Sequence, residues 1–491
     1  MSQYWILAAI LLPILGGILI PRLPFRTRRP MLVYTEAVVL LTSAIVGLLL
    51  LQGSTDVFDV VHFVGDLSIS FKIDGMTMVF GGLIALLWPL ATLYAFEYMV
   101  HENHEKTFFM FYTMTYGVTL GISFASDMVT MYFFYELLTL VTVPLVMHTL
   151  TREAILAVRK YLYFSIGGAA FALMGMIFLI VYGETCEFTL GGVFSSGALE
   201  HHGQLLLWIY LFSFMGFGVK AAVFPLSSWL PQAGVAPTPV TALLHAVAVV
   251  NAGAFAIIRL TYYSFGTDFL SGTWVQDVVM AVTMFTIVYG CSRAVKERHI
   301  KRRLAWSTVS NLSYILFGAV IMTPQGLVGA LTHFVFHGFM KICSFLCAGA
   351  FMHQTGKRYV YEMDGLGRSM KIVFGTFAIS ALGLMGVPGF AGFISKWNLT
   401  AAAVESGNPL AYLGIAALLL SALLTAIYML SVVRRAFFPS GEWDAEAAAQ
   451  AKDPSWQMCL PLLLCAAAVI LLGLFSQPLV DFFRAVALGM I

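Results

Sequence analysis

Apolar runs long enough to cross a lipid bilayer recur along the whole of this chain, and nothing else in the sequence limits its possible folds so severely. A hydrocarbon core about 30 Å thick is spanned by about 20 helical residues, and lipid accepts only structures that satisfy every backbone polar group internally. Fourteen such windows can be read, at about residues 4–20, 31–51, 75–96, 108–125, 127–149, 161–183, 205–224, 239–262, 274–292, 305–323, 326–352, 372–397, 409–433 and 457–476. Of the 491 residues 60% are hydrophobic and only 11% charged, too little polar surface to cover a soluble globule of this size. The expectation is an all-α polytopic membrane protein with about fourteen transmembrane helices. The segment after Pro478 is short and is read as interfacial.

Positive charge tests that count, because basic residues gather in cytoplasmic loops and a missed span would scramble the alternation. The alternation is ordered. Loops after odd-numbered spans hold 21 of the 27 Lys and Arg residues, whereas the opposite loops hold only Lys72, Arg259 and Arg484. This predicts a multi-pass protein of the cell inner (cytoplasmic) membrane with both termini outside. The acids Asp56, Asp59, Asp66, Glu184 and Glu187 fall in the loops 52–74 and 184–204, as an outer face expects. A net charge of +2 scattered over short loops forms no stripe for nucleic acid. Tyr4–Ile20, with its arginines behind it, reads as a first span and not as a leader.

Three basic residues remain, Lys220, Lys341 and Lys396, and all lie inside spans. An ammonium there must find a partner, sit in a wet cavity or give up its proton. Lys220 precedes Pro225 by five residues in GFGVKAAVFPLSSWLPQAGVAPTPVTALLHA, residues 216–246, where Pro231, Pro237 and Pro239 follow. Each proline removes a backbone donor, so the helix is expected to break beside the buried cation. The span at 372–397 repeats the arrangement, since GVPGFAGFISKW carries Pro388 and Lys396. Two such interrupted spans point to an inverted repeat of the transporter type. Glu136, the only acid in the middle of the fifth span, could stay ionised near Lys220 and hold that lysine charged. Glu36 lies nearer a span end and reads as a solvated acid. In HFVFHGFMK, residues 333–341, His333, His337 and Lys341 recur at every fourth residue. They share one helical face over about 12 Å and could pass a proton. His245, at the start of the eighth span, is balanced between a hydrogen-bond partner for a broken helix and a member of that relay. A metal at His333 and His337 is disfavoured, because no carboxylate or further histidine is near in sequence. Cys343 and Cys347 read as small packing residues.

The run KAAVFPLSSWLPQAGVAPTPVTALLHA resembles the signature of the antiporter-like subunits shared by respiratory complex I, membrane-bound energy-converting hydrogenases and Mrp-type cation/proton antiporters. FKIDGMTMVF at 71–80, YELLTLVTVPL at 135–145, IKRRLAWSTVSNLSYI at 300–315, THFVFHGFMKICSFLCAGAFMH at 332–353 and GVPGFAGFISKW at 386–397 extend the likeness, in order, from the third span to the thirteenth. It implies a subunit that moves protons, with or without exchange for sodium, in an assembly with other membrane subunits, further antiporter-like ones among them. By the same likeness Glu136 and Lys220 match the family's acid–lysine pair, Lys396 the lysine of its second broken helix, and His333, His337 and Lys341 its central relay. It also implies four segments: an N-terminal three-helix part at 1–107, antiporter-like repeats at 108–263 and 274–435, and a C-terminal helix at 436–491. Where many members carry a lysine in the eighth span, VVNAGAFAIIRL has Asn251, which can hydrogen-bond water but holds no proton at neutral pH. Lys396, together with the absence of a long lateral helix after the fourteenth span, looks most like a D-type Mrp or hydrogenase-associated member. No flavin, iron–sulfur or quinone signature is present, so no cofactor is expected and a driving redox reaction would belong to partner subunits. The rival readings are an Mrp antiporter without a redox partner and a non-conducting scaffold, the latter weakened by the three lysines retained inside spans.

Overall fold

The computed structural model describes residues 3–53, 55–64, 67–440 and 444–491; of the expected outer acids, Asp66 lies outside the described residues. Helices α1 (Tyr4–Leu19) and α2 (Arg28–Gln52) pack together and lead into an antiparallel hairpin, β1 (Phe58–Val64) and β2 (Leu67–Phe71), which the all-α reading did not foresee. The period-2 alternation of LSISF carries the strand signal, in a loop that had been read only for charge. Glu36 was expected at a solvated end, but it lies in the third turn of α2 with one carboxylate oxygen buried.

Next come α3 (Gly75–Tyr98), α4 (Glu105–Phe124), α5 (Met128–Val146), α6 (Arg152–Tyr182) and α7 (Ser196–Gly218). Asp74, Asp127, Thr151 and Ser195 fix four of these starts by accepting a first-turn N–H at 2.9, 2.7, 3.2 and 3.2 Å. After α7 the chain passes through short α8 (Leu230–Ala233), α9 (Thr238–Ala246), α10 (Val249–Ile258) with a π-helical continuation to Phe265, and α11 (Thr267–Leu270). The remainder is α12 (Trp274–Lys296), α13 (Ile300–Val320), α14 (Pro324–Thr355), α15 (Lys371–Met385), α16 (Ala391–Glu405), α17 (Pro409–Phe437), α18 (Ala445–Gln450), α19 (Trp456–Leu474) and the amphipathic α20 (Gln477–Ala487).

Among the described residues, nine helices are long and apolar enough to cross a membrane, so this is a multi-pass membrane protein. The centre is made by α9, α10, α13 and α14, which are buried almost throughout, and α14 touches α3, α9, α13, α15, α16, α19 and α20. Several of the hydroxyl groups buried there satisfy themselves within their own helix. Thr261, Thr308, Thr332 and Ser344 donate to the carbonyl four residues back at 2.8, 3.1, 2.7 and 3.0 Å.

Three interruptions position the candidate site. Helix α7 ends at Gly218, ahead of Lys220, so the lysine lies in the non-helical stretch 219–229 and not in a helix that runs on to Pro225. Pro237 and Pro239 do not end a helix but start α9, as N-cap and first-turn residues, a place where a missing N–H costs nothing. The eighth span, expected to be continuous, breaks at Val247–Ala248 without any proline. The twelfth is two helices: Gly386, in the left-handed region at φ 88°, closes α15, Pro388 lies in the turn, and α16 carries Lys396 onward to Glu405.

Candidate functional site

Lys220 is 1% exposed. Its ammonium donates to the Tyr135 carbonyl, lies 3.4 Å from the centre of the Tyr135 ring and stands 4.0 Å from Glu136 Oε1. Tyr135 and Glu136 are neighbours on α5, so one turn supplies a carbonyl, an aromatic face and a carboxylate. The unwound chain crosses α10 at Gly253, where a Cβ would fall 2.4 Å from the Ala221 nitrogen, so this crossing needs glycine. Carbonyls freed by the unwinding are taken up locally: Trp229 Nε1 donates to Val219 O at 2.8 Å and the Tyr135 hydroxyl to Phe217 O at 3.2 Å. Glu136 is 29% exposed.

At the second interruption the N–H groups of Val247 and Ala248 both turn to Leu243 O, at 3.0 and 2.8 Å. The Ala246 carbonyl released by this accepts the Asn251 amide at 2.9 Å, so Asn251 closes the break. Among the described residues, Asn251 Oδ1 and both ring nitrogens of His245 are buried without a protein hydrogen-bond partner. The His245 ring lies 4.8 Å from that of Phe345 on α14.

On α14 the rings of His333 and His337 stack 5.8 Å apart, and Tyr314 stacks on His333 at 5.1 Å. His333 Nδ1 is 2.9 Å from Ser395 Oγ, whereas His333 Nε2 and both His337 nitrogens have no protein partner among the described residues. Lys341 leaves this file: its hydrogen bonds go to Ser307 Oγ at 2.5 Å and Leu304 O at 3.5 Å, both on α13. Lys396, half-buried, donates to Leu384 O at 2.7 Å and Met385 O at 2.9 Å and lies 5.4 Å from the Tyr314 ring. Those are the terminal carbonyls of α15, the negative end of a half-helix, where an ammonium is stabilised. The structure therefore joins Glu136 to Lys220, His333 to His337, and His333 through Ser395 to the neighbourhood of Lys396. It does not join Lys341 to His337 directly.

Sequence reasoning missed the hydroxyl groups that receive Lys341. Ser307 Oγ lies 2.5 Å from the Tyr428 hydroxyl, which donates to Thr425 Oγ1 at 3.2 Å. Beside them Cys291 Sγ contacts Ser421 Oγ at 2.9 Å and donates to Ser310 Oγ at 3.1 Å. The available signal was spacing, since Ser307 with Ser310, and Ser421 with Thr425 and Tyr428, recur at helical intervals on α13 and α17. Arg259 was also misjudged as a loop residue. It is fully buried and pairs through both terminal nitrogens with Asp74, at 2.7 Å each. Asp74 lies outside the spans; burial pushes its pKa up, but the Arg259 guanidinium outweighs that and holds it down at about 2. Among the described residues no group of three or more His, Cys, Asp or Glu is arranged to hold a metal ion.

Fold and site together define a class: a polytopic helical membrane protein whose interrupted helices present buried lysines to a polar interior. Within it, this chain belongs to the family described as NADH:quinone oxidoreductase/Mrp antiporter, TM, which matches residues 125–425, and it is an antiporter-like membrane subunit. It is 28% identical over 417 residues to NADH-quinone oxidoreductase subunit N of Desulforudis audaxviator, covering 82% of this chain and 81% of that one. It is 29% identical to Na(+)/H(+) antiporter subunit A1 of Staphylococcus aureus over 84% of this chain, which spans only 53% of that relative's length. In three dimensions it superposes on a chain of the Mrp complex from Dietzia sp. DQ12-45-1b with a TM-score of 0.84, at 22% identity and over 99% and 97% of the two chains. A chain of the membrane-bound sulfane sulfur reductase, an archaeal respiratory membrane complex, gives 0.86 at 21% identity over 100% and 98%.

Proposed function

We propose that this chain moves protons across the cell inner (cytoplasmic) membrane as the ion-translocating subunit of a redox-driven complex, alongside other membrane subunits. In this reading both termini lie outside, fourteen crossings form two inverted-repeat halves at 108–263 and 274–435, and 1–107 and 436–491 flank them. One observation carries the reading: Lys220 is a buried cation, 4.0 Å from Glu136, at a helix break. Such a charge is costly inside a membrane unless it is used, and this weakens the scaffold alternative.

Mechanistically, Glu136 close to Lys220 keeps the lysine protonated, and withdrawal of the acid releases the proton inward. The buried polar atoms of His245, Asn251, His337 and His333 that lack protein partners line the onward route, since buried polar groups are satisfied by protein or by water. From His333 the route reaches Lys396 by way of Ser395, and Lys341 with Ser307 and Tyr428 forms a side branch. The Lys220→Ala variant should assemble normally and lose proton uptake in vesicles at matched protein level; wild-type uptake would remove Lys220 from the path. The fold likeness to a chain of an Mrp complex supports a second reading, a D-type antiporter subunit without redox partner that exchanges protons for sodium. Copurification separates the two, because iron–sulfur or hydrogenase subunits select the redox complex and small membrane proteins alone select the antiporter.

A further inference from the structure

We propose that a cavity of about 500 Å³ on the arginine-rich side of the protein binds the phosphate headgroup of an anionic phospholipid, whose acyl chains lie along α17. The cavity opens between the ends of α12, α13 and α17 and the 360–361 turn, and four guanidinium groups line it: Arg298, Arg303, Arg434 and Arg435. Its size falls in the roughly 300–1,000 Å³ range of small-molecule sites.

The charge there is largely uncompensated. Arg435 is paired with Asp364 at 2.8 Å, but among the described residues no carboxylate lies within 4.0 Å of Arg298, Arg303 or Arg434. Arg303 is the informative one, because it is 7% exposed and every hydrogen bond it makes goes to a neutral oxygen. It donates to Glu297 O at 2.8 Å, Tyr428 O at 3.0 Å and Ser431 Oγ at 2.7 Å. A guanidinium held at a cavity wall by neutral partners has its geometry fixed and its charge unmatched, the arrangement that receives a phosphate.

The surroundings favour lipid over a soluble anion. Leu420, Leu423, Ile427, Leu430 and Arg434 fall at helical intervals on one face of α17, and the four aliphatic residues are all exposed. That stripe runs about 21 Å and ends in the cavity wall, where Ile427 and Arg434 both stand. Tyr359 and Tyr361, stacked 5.3 Å apart and both exposed, lie at the same end, the depth at which aromatic side chains meet headgroups. Other outward faces also carry leucine, but this one leads into three unmatched guanidinium groups.

The test uses the purified, delipidated full chain, with thermal unfolding and native mass spectrometry against phosphatidylglycerol, phosphatidylethanolamine, phosphatidylcholine and inorganic phosphate. Phosphatidylglycerol should stabilise the protein and remain bound. The Arg298→Gln and Arg434→Gln variants should each weaken its binding about ten-fold, as loss of a charge-assisted hydrogen bond does, and the double variant more. Zwitterionic lipids should bind less tightly, because their ammonium meets arginine. Equal binding of all three lipids, or unchanged phosphatidylglycerol binding in both single variants, overturns the proposal. So does full competition by inorganic phosphate, which would mark a soluble-anion site, or a neighbouring subunit found filling the cavity in the assembled complex. The outcome does not depend on whether protons move, so it can fail while the transport reading stands.

Discussion

Replacing Glu136 by glutamine removes a charge and almost nothing else, and so isolates what the carboxylate does for Lys220. Two unit charges 4.0 Å apart attract by about 1 kcal/mol in water and about 4 kcal/mol at the effective dielectric of a protein boundary. Glu136 is 29% exposed and Lys220 1%, which places the pair between those limits, at about 2–3 kcal/mol. Without the carboxylate the ammonium keeps, among the described residues, the Tyr135 carbonyl and ring. Stability in detergent should therefore fall in Glu136→Gln, and the loss should shrink in a Lys220→Met background, giving a coupling of about 2–3 kcal/mol in a double-mutant cycle. Proton uptake in vesicles should fall about ten-fold or more in Glu136→Gln, since each 1.4 kcal/mol is a factor of ten, and less in Glu136→Asp. Additive effects within about 0.5 kcal/mol would mean that the two charges do not sense each other. Uptake in the glutamine variant equal to wild type would refute the modulating role.

Three further perturbations have definite expected results. Ser307→Ala leaves Lys341, among the described residues, with the Leu304 carbonyl at 3.5 Å alone; as Lys341 is a side branch, proton uptake in proteoliposomes should stay within about two-fold of wild type, and a fall of about ten-fold would put Lys341 on the main route. Asn251→Leu strands the buried Ala246 carbonyl and should cost about 1–3 kcal/mol of stability, whereas Asn251→Lys should keep more of it because an ammonium can donate to the same oxygen; thermal unfolding ranks the two, and a worse lysine variant would mean dry packing at that point. Asp74 is held at about 2 against an ordinary 3.8, so its contribution of about 2 kcal/mol is complete above pH 4 and is lost as pH falls from about 4 towards 2. Wild type should therefore lose stability over that window, while Asp74→Ala, already weakened by about 3–5 kcal/mol at pH 7, should lose less.

How much of this protein could be read without its structure depended on the range of the interactions involved. Membrane insertion, the alternation of positive charge and the approximate limits of most helices are written in windows of about 20 residues, because lipid rejects any backbone that does not satisfy itself locally. Helical spacing likewise aligned His333 with His337, and the proline-rich run beside Lys220 announced a break. The Glu136–Lys220 pair was suggested by the chemistry of two charges inside spans and matched by family likeness, and the structure sets it at 4.0 Å. The interruption at Val247–Ala248 could not be read, since no proline marks it and the side chain that takes up the released carbonyl, Asn251, carries no such signal in sequence. Lys341 has the right spacing to continue the histidine file, yet its flexible side chain turns to Ser307 on α13, a choice made by what packs beside it. Arg259 finds Asp74 across 185 residues of sequence, and Cys291, Ser310 and Ser421 meet only where α12, α13 and α17 converge. Sequence by itself determined that the chain is a membrane-spanning helical bundle with costly charges inside; tertiary packing decided which neutral oxygens, rings and acids receive those charges, because partners so distant in the chain have no local periodicity that could announce them.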